Sequence, residues 1–213
     1  MLTENRRFIV VEGPIGAGKT TLARLLSEHM HTRLLLEDAD ANPFLAKFYH
    51  DPERHALPTQ LFFLFQRAEQ MRGLLQNDLF QYGTVSDFLL DKDPLFARLN
   101  LSDDEFRLYR EIYHHLQPQA PRPDLVIYLQ APVEAMMDRI VQRKIDYEQT
   151  ITLNYLTRLT ESYSQFFHHY EAAPLLIVNS ENFNFSGQPG DFDLLLEKIA
   201  SMRGGREFFN RAD

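Results

Sequence analysis

The most informative absence in this 213-residue sequence is cysteine, which does not occur at all. Without cysteine the chain forms neither a disulfide framework nor a cysteine-ligated metal site. The N-terminal stretch MLTENRRFIV also lacks the long apolar segment of a signal peptide, so we expect a cytoplasmic protein without a membrane partner. An excess of basic residues is missing too, because the formal net charge is −8. Proteins that track a polyanion usually carry a basic face, so we do not expect a nucleic acid as the main partner.

What the sequence does contain is a series of short apolar runs rich in β-branched residues, separated by longer amphipathic stretches. The runs are RFIVVEG, RLLLED, GTVSD, DLVIYLQA and PLLIVNS. This alternation predicts an α/β fold with three layers (α/β/α), in which helices cover both faces of a five-stranded parallel sheet. The length suits one well-buried α/β domain and no long linker interrupts it, so we expect a single domain over 1–213.

Helices are expected between and after these strands. The segment SDDE at 102–105 resembles a capping box, in which a serine and a glutamate three residues later satisfy each other's backbone N–H groups. The C-terminal stretch RGGREFFNRAD carries no pattern that predicts an element. The helices are expected at 18–31, 56–77, 102–117, 132–144, 152–172 and 191–203.

The stretch GPIGAGKT at 13–20 matches the phosphate-loop pattern G-x-x-x-x-G-K-[ST]. A predicted strand precedes it and a predicted helix follows, which is the context in which backbone N–H groups converge on phosphate oxygens. Lys19 is expected to reach the β- and γ-phosphates as a catalytic cation, and Thr20 to bind Mg²⁺. ATP and Mg²⁺ are therefore the expected cofactors. The nucleotide-binding residues are Gly13, Pro14, Ile15, Gly16, Ala17, Gly18, Lys19, Thr20 and Thr21.

The group that receives the phosphate must be found elsewhere in the chain. The second predicted strand ends in LEDADANPFLAKFYHD, which places the Glu37 carboxylate at the carboxyl end of the sheet, beside the phosphate loop. A carboxylate there is suited to take a proton from an acceptor hydroxyl. On its own, an acidic residue after a strand is more often a helix cap or a solvated loop residue than a catalytic group.

Several motifs together resemble one family. EGPIGAGKTT, LEDADANPFLAKFY, TQLFFLFQRAEQ, SDFLLDKDPLFARLNL and VIYLQAPVEAMMDRIVQRKIDYEQ occur in the order and spacing of the deoxynucleoside kinases, particularly the bacterial deoxyadenosine and deoxyguanosine kinases. The resemblance covers about residues 7 to 170. It implies transfer of the ATP γ-phosphate to the 5′-hydroxyl of a deoxynucleoside, with a purine base expected and Glu37 as general base. It also implies a homodimer, for which the helices at 56–77 and 152–172 are candidate interfaces.

The resemblance assigns the substrate-binding residues. Gln60, Arg67 and Asp93 occupy the positions that recognise the base, and Gln60 and Arg67 share a helix face because they lie two turns apart. Tyr49 and Glu148 stand where the family binds the 3′-hydroxyl of the sugar.

The phosphate end is assigned in the same way. The segment DRIVQRKIDYEQ resembles the family's lid over ATP, at about 139–150. Arg139 and Arg143 lie four residues apart and are expected to face the triphosphate as catalytic groups. Asp87 matches the acidic residue associated with Mg²⁺ and the acceptor, although an aspartate at that place is also a common helix N-cap.

The chain departs from the family pattern at two positions. The residue after Asp87 is normally an arginine, and here it is Phe88. The lid normally carries an R-G-R unit, whereas this chain reads RKI at 143–145, so that Ile145 replaces the second arginine. Loss of an arginine that stabilises a transferring phosphoryl group costs on the order of 10³-fold in rate. The candidates to replace the missing charges are Lys92, Lys144 and Arg98.

Two alternatives to an active deoxynucleoside kinase stay open at this point. Phe88 and Ile145 favour a degenerate kinase scaffold that binds nucleotides as a regulatory protein, whereas the retained Glu37, Tyr49 and Glu148 favour a working acceptor site. A nucleoside monophosphate kinase is disfavoured, because the chain offers an acidic and apolar segment where that enzyme needs basic residues for the acceptor phosphate.

Overall fold

The apolar runs of the sequence form parallel strands in a computed structural model that describes residues 7–76, 83–116, 121–181, 183, 185 and 188–210. Adjacent strands pair in parallel throughout the sheet, in the order β2-β3-β1-β4-β5-β6. Strands β1 and β4 are apolar over nearly their whole length because they lie in the middle of the sheet and are buried on both faces. The strands are β1 (Phe8–Glu12), β2 (Arg33–Leu35), β3 (Thr84–Ser86), β4 (Leu125–Gln130), β5 (Leu175–Asn179) and β6 (Arg206–Phe209).

The five expected strands are confirmed, but the predicted number is wrong because the sheet has a sixth strand within the C-terminal stretch. Strand β6 pairs in parallel with the outer edge of β5, from Leu175 opposite Arg206 to Val178 opposite Phe209. Its side chains are mostly half-buried, so it shows no apolar run. The Arg206 guanidinium holds the strand by donating to the carbonyl oxygens of His168 and Tyr170, at 2.9 and 2.8 Å.

The six expected helices are present in the described residues, together with two short helices that the sequence pattern did not predict. The helix expected at 56–77 begins four residues early, at Pro52. The helix expected at 152–172 ends four residues early, at His168. The ends expected at 77 and 117 lie outside the described residues. The helices are α1 (Lys19–Met30), α2 (Leu45–His50), α3 (Pro52–Gln76), α4 (Asp93–Asn100), α5 (Asp103–Leu116), α6 (Val133–Arg143), α7 (Leu153–His168) and α8 (Pro189–Ser201).

The predicted capping box is confirmed at the start of α5. The Glu105 carboxylate accepts from the backbone N–H of Ser102 at 3.0 Å, and the backbone N–H of Glu105 donates to the Ser102 hydroxyl at 3.4 Å. None of the helices in the described ranges is long and apolar enough to cross a lipid bilayer.

Two apolar clusters support the region where the phosphate loop lies. The larger one surrounds the sheet and includes the central strands and the inner faces of α1, α6 and α7. The smaller one joins α2, α3, α4 and α5 through Phe48, Leu64, Ala97 and Tyr109. Tyr49 packs against both clusters and lines the same cavity as Glu37 and Asp87, which follow β2 and β3. Parallel α/β folds bind ligands beyond the carboxyl ends of their strands.

Candidate active site

The phosphate loop connects β1 to α1 and depends on glycine. Gly16 and Gly18 have φ angles of +84° and +99°, which residues with a side chain rarely adopt. A Cβ on Gly16 would lie 2.6 Å from the backbone oxygen of Met136 in α6, so the loop also needs glycine to pack against that helix. The first turn of α1 contains no acidic residue, and its N-cap makes no side-chain hydrogen bond. The loop therefore presents a helix N-terminus suited to an anion.

Lys19 begins α1 and folds back over this loop. Its ammonium group donates to the carbonyl oxygen of Pro14 at 3.0 Å. Burial, reinforced by the positive charge of Lys92, lowers the pKa of Lys19 to about 8. A polyphosphate beside Lys19 would restore the usual preference for the charged form, because a nearby negative charge favours a cation.

Asp87 joins three parts of the site from its place at the end of β3. One carboxylate oxygen accepts from the Thr20 hydroxyl at 2.6 Å, and the other accepts from the backbone N–H of Glu37 at 2.8 Å. Thr20 and Asp87 thus offer two adjacent oxygen ligands next to the phosphate loop. Mg²⁺ prefers this kind of donor set, with water and substrate phosphates completing its shell, so the two residues fit the expected metal.

Glu37 follows β2 and is held by Arg67 of α3. The Arg67 guanidinium donates to one Glu37 oxygen at 2.5 and 3.1 Å, and its remaining amino group contacts Asp93. Burial alone would raise the pKa of Glu37, but the charges of Arg67, Lys92 and Lys19 outweigh it and lower the pKa to about 2. Burial raises the pKa of Asp93 to about 6 against the opposing charge of Arg67. Glu37 is therefore ionised across the physiological pH range.

One cavity contains most of the residues predicted for the acceptor side. Gln60 and Arg67 both line it, as their two-turn spacing along α3 predicts, and Phe48 and Phe63 supply its apolar wall. Asp93 lies behind Arg67 and does not line the cavity. The predicted site residues at this cavity are Ile15, Lys19, Thr20, Glu37, Tyr49, Gln60, Arg67, Asp87, Arg143 and Glu148.

The segment after α6 covers this cavity from the side of α2. A short 3-10 helix at Asp146–Thr150 carries Tyr147, whose ring stacks on Tyr49 with centroids 5.9 Å apart. The Tyr147 hydroxyl donates to Asp40 at 3.0 Å, which fixes the 3-10 helix to the loop after β2. Glu148, on the same turn, lies 3.6 Å from Arg143. Tyr147 was not predicted from the sequence, since one tyrosine in a polar loop carries no distinguishing pattern.

A second cavity adjoins the phosphate loop on the α6 side. Arg139 lines it and donates to the carbonyl oxygens of Gly16 and Ser180, at 3.4 and 3.0 Å. Arg143 lines both cavities, which places it between the expected donor and acceptor sides. Burial and the neighbouring charge of Arg143 lower the pKa of Arg139. Two cations one helical turn apart thus border the phosphate loop.

Of the three candidates to replace the missing arginine charges, Lys92, Lys144 and Arg98, the structure places one at the cavity. Phe88 is fully buried in the larger apolar cluster and places no polar group in the cavity. Lys144 is exposed at the end of α6, and Arg98 is exposed and pairs with Asp103 at 2.7 Å. Lys92 alone among the three lines the cavity.

Glu12 is a further residue that the sequence reasoning missed. It is fully buried at the end of β1, immediately before the phosphate loop. Its carboxylate accepts from the backbone N–H groups of Gly13 and Leu89, at 3.1 and 2.7 Å, and from Lys92. The signal that could have revealed it is a carboxylate ending an otherwise apolar central strand.

The chain is similar to known proteins both in sequence and in fold. A sequence model described as deoxynucleoside kinase matches residues 9–202. The deoxyguanosine kinase of Bacillus subtilis is 30% identical over 200 residues, which cover 92% of this chain and 97% of that protein. The deoxyadenosine kinase of Lactobacillus acidophilus is 30% identical over 193 residues, 84% of this chain and 88% of that protein. The structure of the M. mycoides deoxyadenosine kinase with bound dCTP superposes with a TM-score of 0.79 at 22% identity, covering 92% of this chain and all of that one.

Proposed function

Because the chain belongs to the deoxynucleoside kinase family and phosphorylates deoxynucleosides, we propose that its acceptor is the 5′-hydroxyl of a purine deoxynucleoside and its donor is Mg²⁺-bound ATP. The observation that carries this proposal is the cavity in which the Glu37 carboxylate lies with Lys19 and Thr20 of the phosphate loop. The names of the two relatives, a deoxyguanosine kinase and a deoxyadenosine kinase, support a purine.

Glu37 is the proposed proton acceptor. In the transfer, the 5′-oxygen forms a bond to the γ-phosphorus, the bond from that phosphorus to ADP breaks, and the hydroxyl proton passes to Glu37. Phosphoryl transfer passes through a loose transition state, so the hydroxyl needs little deprotonation before the bond to ADP breaks. An ionised carboxylate with a pKa of about 2 therefore suffices to orient the hydroxyl and to take its proton late.

The base and the sugar are proposed to bind on either side of Glu37. The Gln60 amide can donate and accept along one edge of a purine. Arg67, which Asp93 contacts from behind, is proposed to form the polar end of the pocket. Tyr49 and Glu148 are proposed to hold the 3′-hydroxyl. Burial raises the pKa of Glu148, and one of its oxygens has no hydrogen-bond partner in the described part of the chain. A sugar hydroxyl would satisfy that oxygen.

The phosphates are proposed to bind at the other end of the cavity. Thr20 and Asp87 would hold Mg²⁺, which would neutralise the negative charge that develops on the phosphates during transfer. Arg139 and Arg143, at the start of the proposed lid at 139–150, would face the triphosphate. The lid belongs to the proposed single domain over 1–213.

The assembly and the location are proposed from the family resemblance. We propose a homodimer that works in the cytoplasm, without a nucleic-acid or membrane partner. Size-exclusion chromatography with light scattering tests the dimer, since a dimer gives about 50 kDa, twice the 25.0 kDa of one chain.

The activity is tested by incubating the protein with Mg²⁺-ATP and each of the four deoxynucleosides, and by identifying products by chromatography and mass. We expect deoxynucleoside monophosphate and ADP in equal amounts, with higher kcat/KM for deoxyadenosine or deoxyguanosine than for the pyrimidines. Higher kcat/KM for both pyrimidines would contradict the purine assignment. ATP binding without product from any of the four would support the regulatory scaffold, which the kinase relatives do not favour.

A further inference from the structure

Four cations line the cavity, and one of them has no role in the reaction described above. Lys19 belongs to the phosphate loop, Arg143 to the segment over the triphosphate, and Arg67 is tied to Glu37 and Asp93. The fourth cation is Lys92.

Lys92 is brought to the cavity by the segment that leaves β3. The backbone N–H of Leu89 donates to Glu12 at 2.7 Å, and a short 3-10 helix at Leu90–Lys92 then turns the lysine inward. The Lys92 ammonium lies 2.9 and 3.1 Å from the two oxygens of Glu12 and 3.1 Å from the Tyr163 hydroxyl. Lys92 is only 2% exposed, so the position of its charge is fixed before any substrate binds.

The charge of Lys92 acts on the groups that flank the transfer. It is among the causes that lower the pKa of Glu37, and it lowers the pKa of Lys19. An ammonium group has three N–H donors, and Lys92 makes hydrogen bonds to one Glu12 oxygen and to the Tyr163 hydroxyl. Among the described residues the third donor makes no hydrogen bond, so it is available to a ligand in the cavity that Lys92 lines.

The segment that carries Lys92 has no cation at the position next to Asp87. Phe88, which follows Asp87, points its ring into the apolar cluster and supplies no donor. The next cationic side chain along the segment is Lys92. The 3-10 helix at Leu90–Lys92 places it at the cavity, which Phe88 does not line.

We propose that Lys92 is a catalytic residue that donates to the transferring phosphoryl group and the attacking 5′-oxygen, with Glu12 and Tyr163 as the residues that position it. This inference rests on the proposed function. Lys92 takes no part in the proton transfer: the proton of the hydroxyl goes to Glu37, and the electron pair of the broken bond goes to ADP. The ammonium stabilises the negative charge spread over the phosphoryl oxygens, which a fixed donor in a water-poor site does at no cost of reorganisation.

The test compares two variants that share the loss of the Glu12 charge. Lys92→Met alone would leave a carboxylate buried and unpaired, which can unfold the protein for reasons unrelated to catalysis. We therefore compare E12Q with the double variant E12Q/K92M, which is neutral at both positions and close in volume. The measurements are kcat, KM for both substrates, and the thermal midpoint of each variant.

We expect kcat of E12Q/K92M to be about 10²- to 10³-fold below that of E12Q, the range for loss of one donor to a developing negative charge. Both KM values should change less than about threefold, because such a donor acts mainly in the transition state. The thermal midpoint of E12Q/K92M should be no lower than that of E12Q, because E12Q retains the buried Lys92 ammonium without its carboxylate partner. E12Q/K92R keeps a cation at position 92, so its kcat should be at least about tenfold higher than that of E12Q/K92M.

Equal kcat values for E12Q and E12Q/K92M would overturn the proposal and leave Lys92 as a structural partner of Glu12. If the methionine variant does not fold, E12Q/K92Q keeps a hydrogen-bonded neutral pair and carries the same comparison. If neither folds, the lysine is structural and the proposal fails. A failure of the proposed function is seen separately, because the wild-type protein would then make no deoxynucleoside monophosphate.

Discussion

Replacement of Glu37 by glutamine tests both the chemistry and the electrostatics of the site. The change keeps the size of the side chain but removes its charge and its capacity to accept a proton. Loss of a positioned general base lowers the rate by about 10²- to 10⁴-fold, which corresponds to about 3 to 5 kcal/mol of activation free energy. The affinity for ATP should remain unchanged, since Glu37 lies outside the phosphate loop.

The same substitution should destabilise the protein. The pKa of Glu37 is lowered from 4.5 to about 2, and its side chain is only 23% exposed. Each pKa unit corresponds to about 1.4 kcal/mol, so the ionised carboxylate contributes roughly 3 kcal/mol at most to the free energy of unfolding. The amide oxygen of the introduced glutamine can still accept one hydrogen bond from Arg67, and we therefore expect a loss of about 1 to 3 kcal/mol at neutral pH.

The sign of the pH dependence follows from the lowered pKa. Because the folded protein holds Glu37 ionised more strongly than the unfolded chain does, the stabilisation is complete above about pH 4.5 and is lost as the pH falls toward about 2. The stability difference between the wild type and E37Q should therefore narrow on acidification across that range. Urea unfolding at several pH values measures it.

The matched control is Asp38→Asn, which removes an exposed carboxylate one residue away. The Asp38 carboxylate accepts from the local backbone N–H of Ala41 at 3.2 Å, and the bond from Gln66 goes to the Asp38 backbone oxygen, which the substitution keeps. D38N should therefore keep wild-type kcat and stability. Monophosphate formation is followed by chromatography under saturating substrates. If E37Q retains kcat within about tenfold of D38N, Glu37 is not the proton acceptor and the reasoning fails.

Three further predictions address other parts of the molecule. Burial lowers the pKa of Lys19 to about 8, so kcat/KM for ATP should fall above that pH as the lysine loses its proton; a profile flat to about two units higher would contradict this. Asp87→Asn removes the negative charge expected at the metal, so the Mg²⁺ concentration for half-maximal activity should rise at least about tenfold, and an unchanged Mg²⁺ titration would speak against the metal assignment. Truncation after Met202 removes β6 and the stacking of Phe209 on Phe183, at 5.1 Å, and should lower the thermal midpoint by about 4 °C or more; an unaltered midpoint would mean that the strand adds nothing to stability.

The strand count shows where sequence reasoning was limited. Strands β1 to β5 are predictable because burial within the sheet requires apolar side chains, and burial on both faces produces continuous apolar runs. Strand β6 is half-exposed and contains Arg206 and Glu207, which resemble loop residues in the sequence. It forms because the edge of β5 offers unpaired backbone groups and because Lys198 binds Glu207 at 2.7 Å.

The role of Arg67 was likewise only partly visible. Its place two turns after Gln60 predicts a shared helix face, and the two residues do line one cavity. The spacing gives no indication that Arg67 bridges Glu37 and Asp93, which lie 30 and 26 residues away in the chain. Assignment of Arg67 to base recognition stays a prediction that substrate binding must test.

The sequence by itself determined the phosphate loop, because the glycines, the lysine and the hydroxyl that shape it lie within eight residues and act through local backbone geometry. It also determined the parallel sheet, because each apolar run indicates a buried strand even when the strands that pair with it are unknown. Only the tertiary structure decided that Lys92, and neither Lys144 nor Arg98, lies at the cavity. Lys92 is 80 residues from Glu12 in the chain, and the two form an ion pair because β1 and β3 are adjacent in the sheet. Strand order brings distant side chains together at one sheet edge, and no local pattern encodes that order.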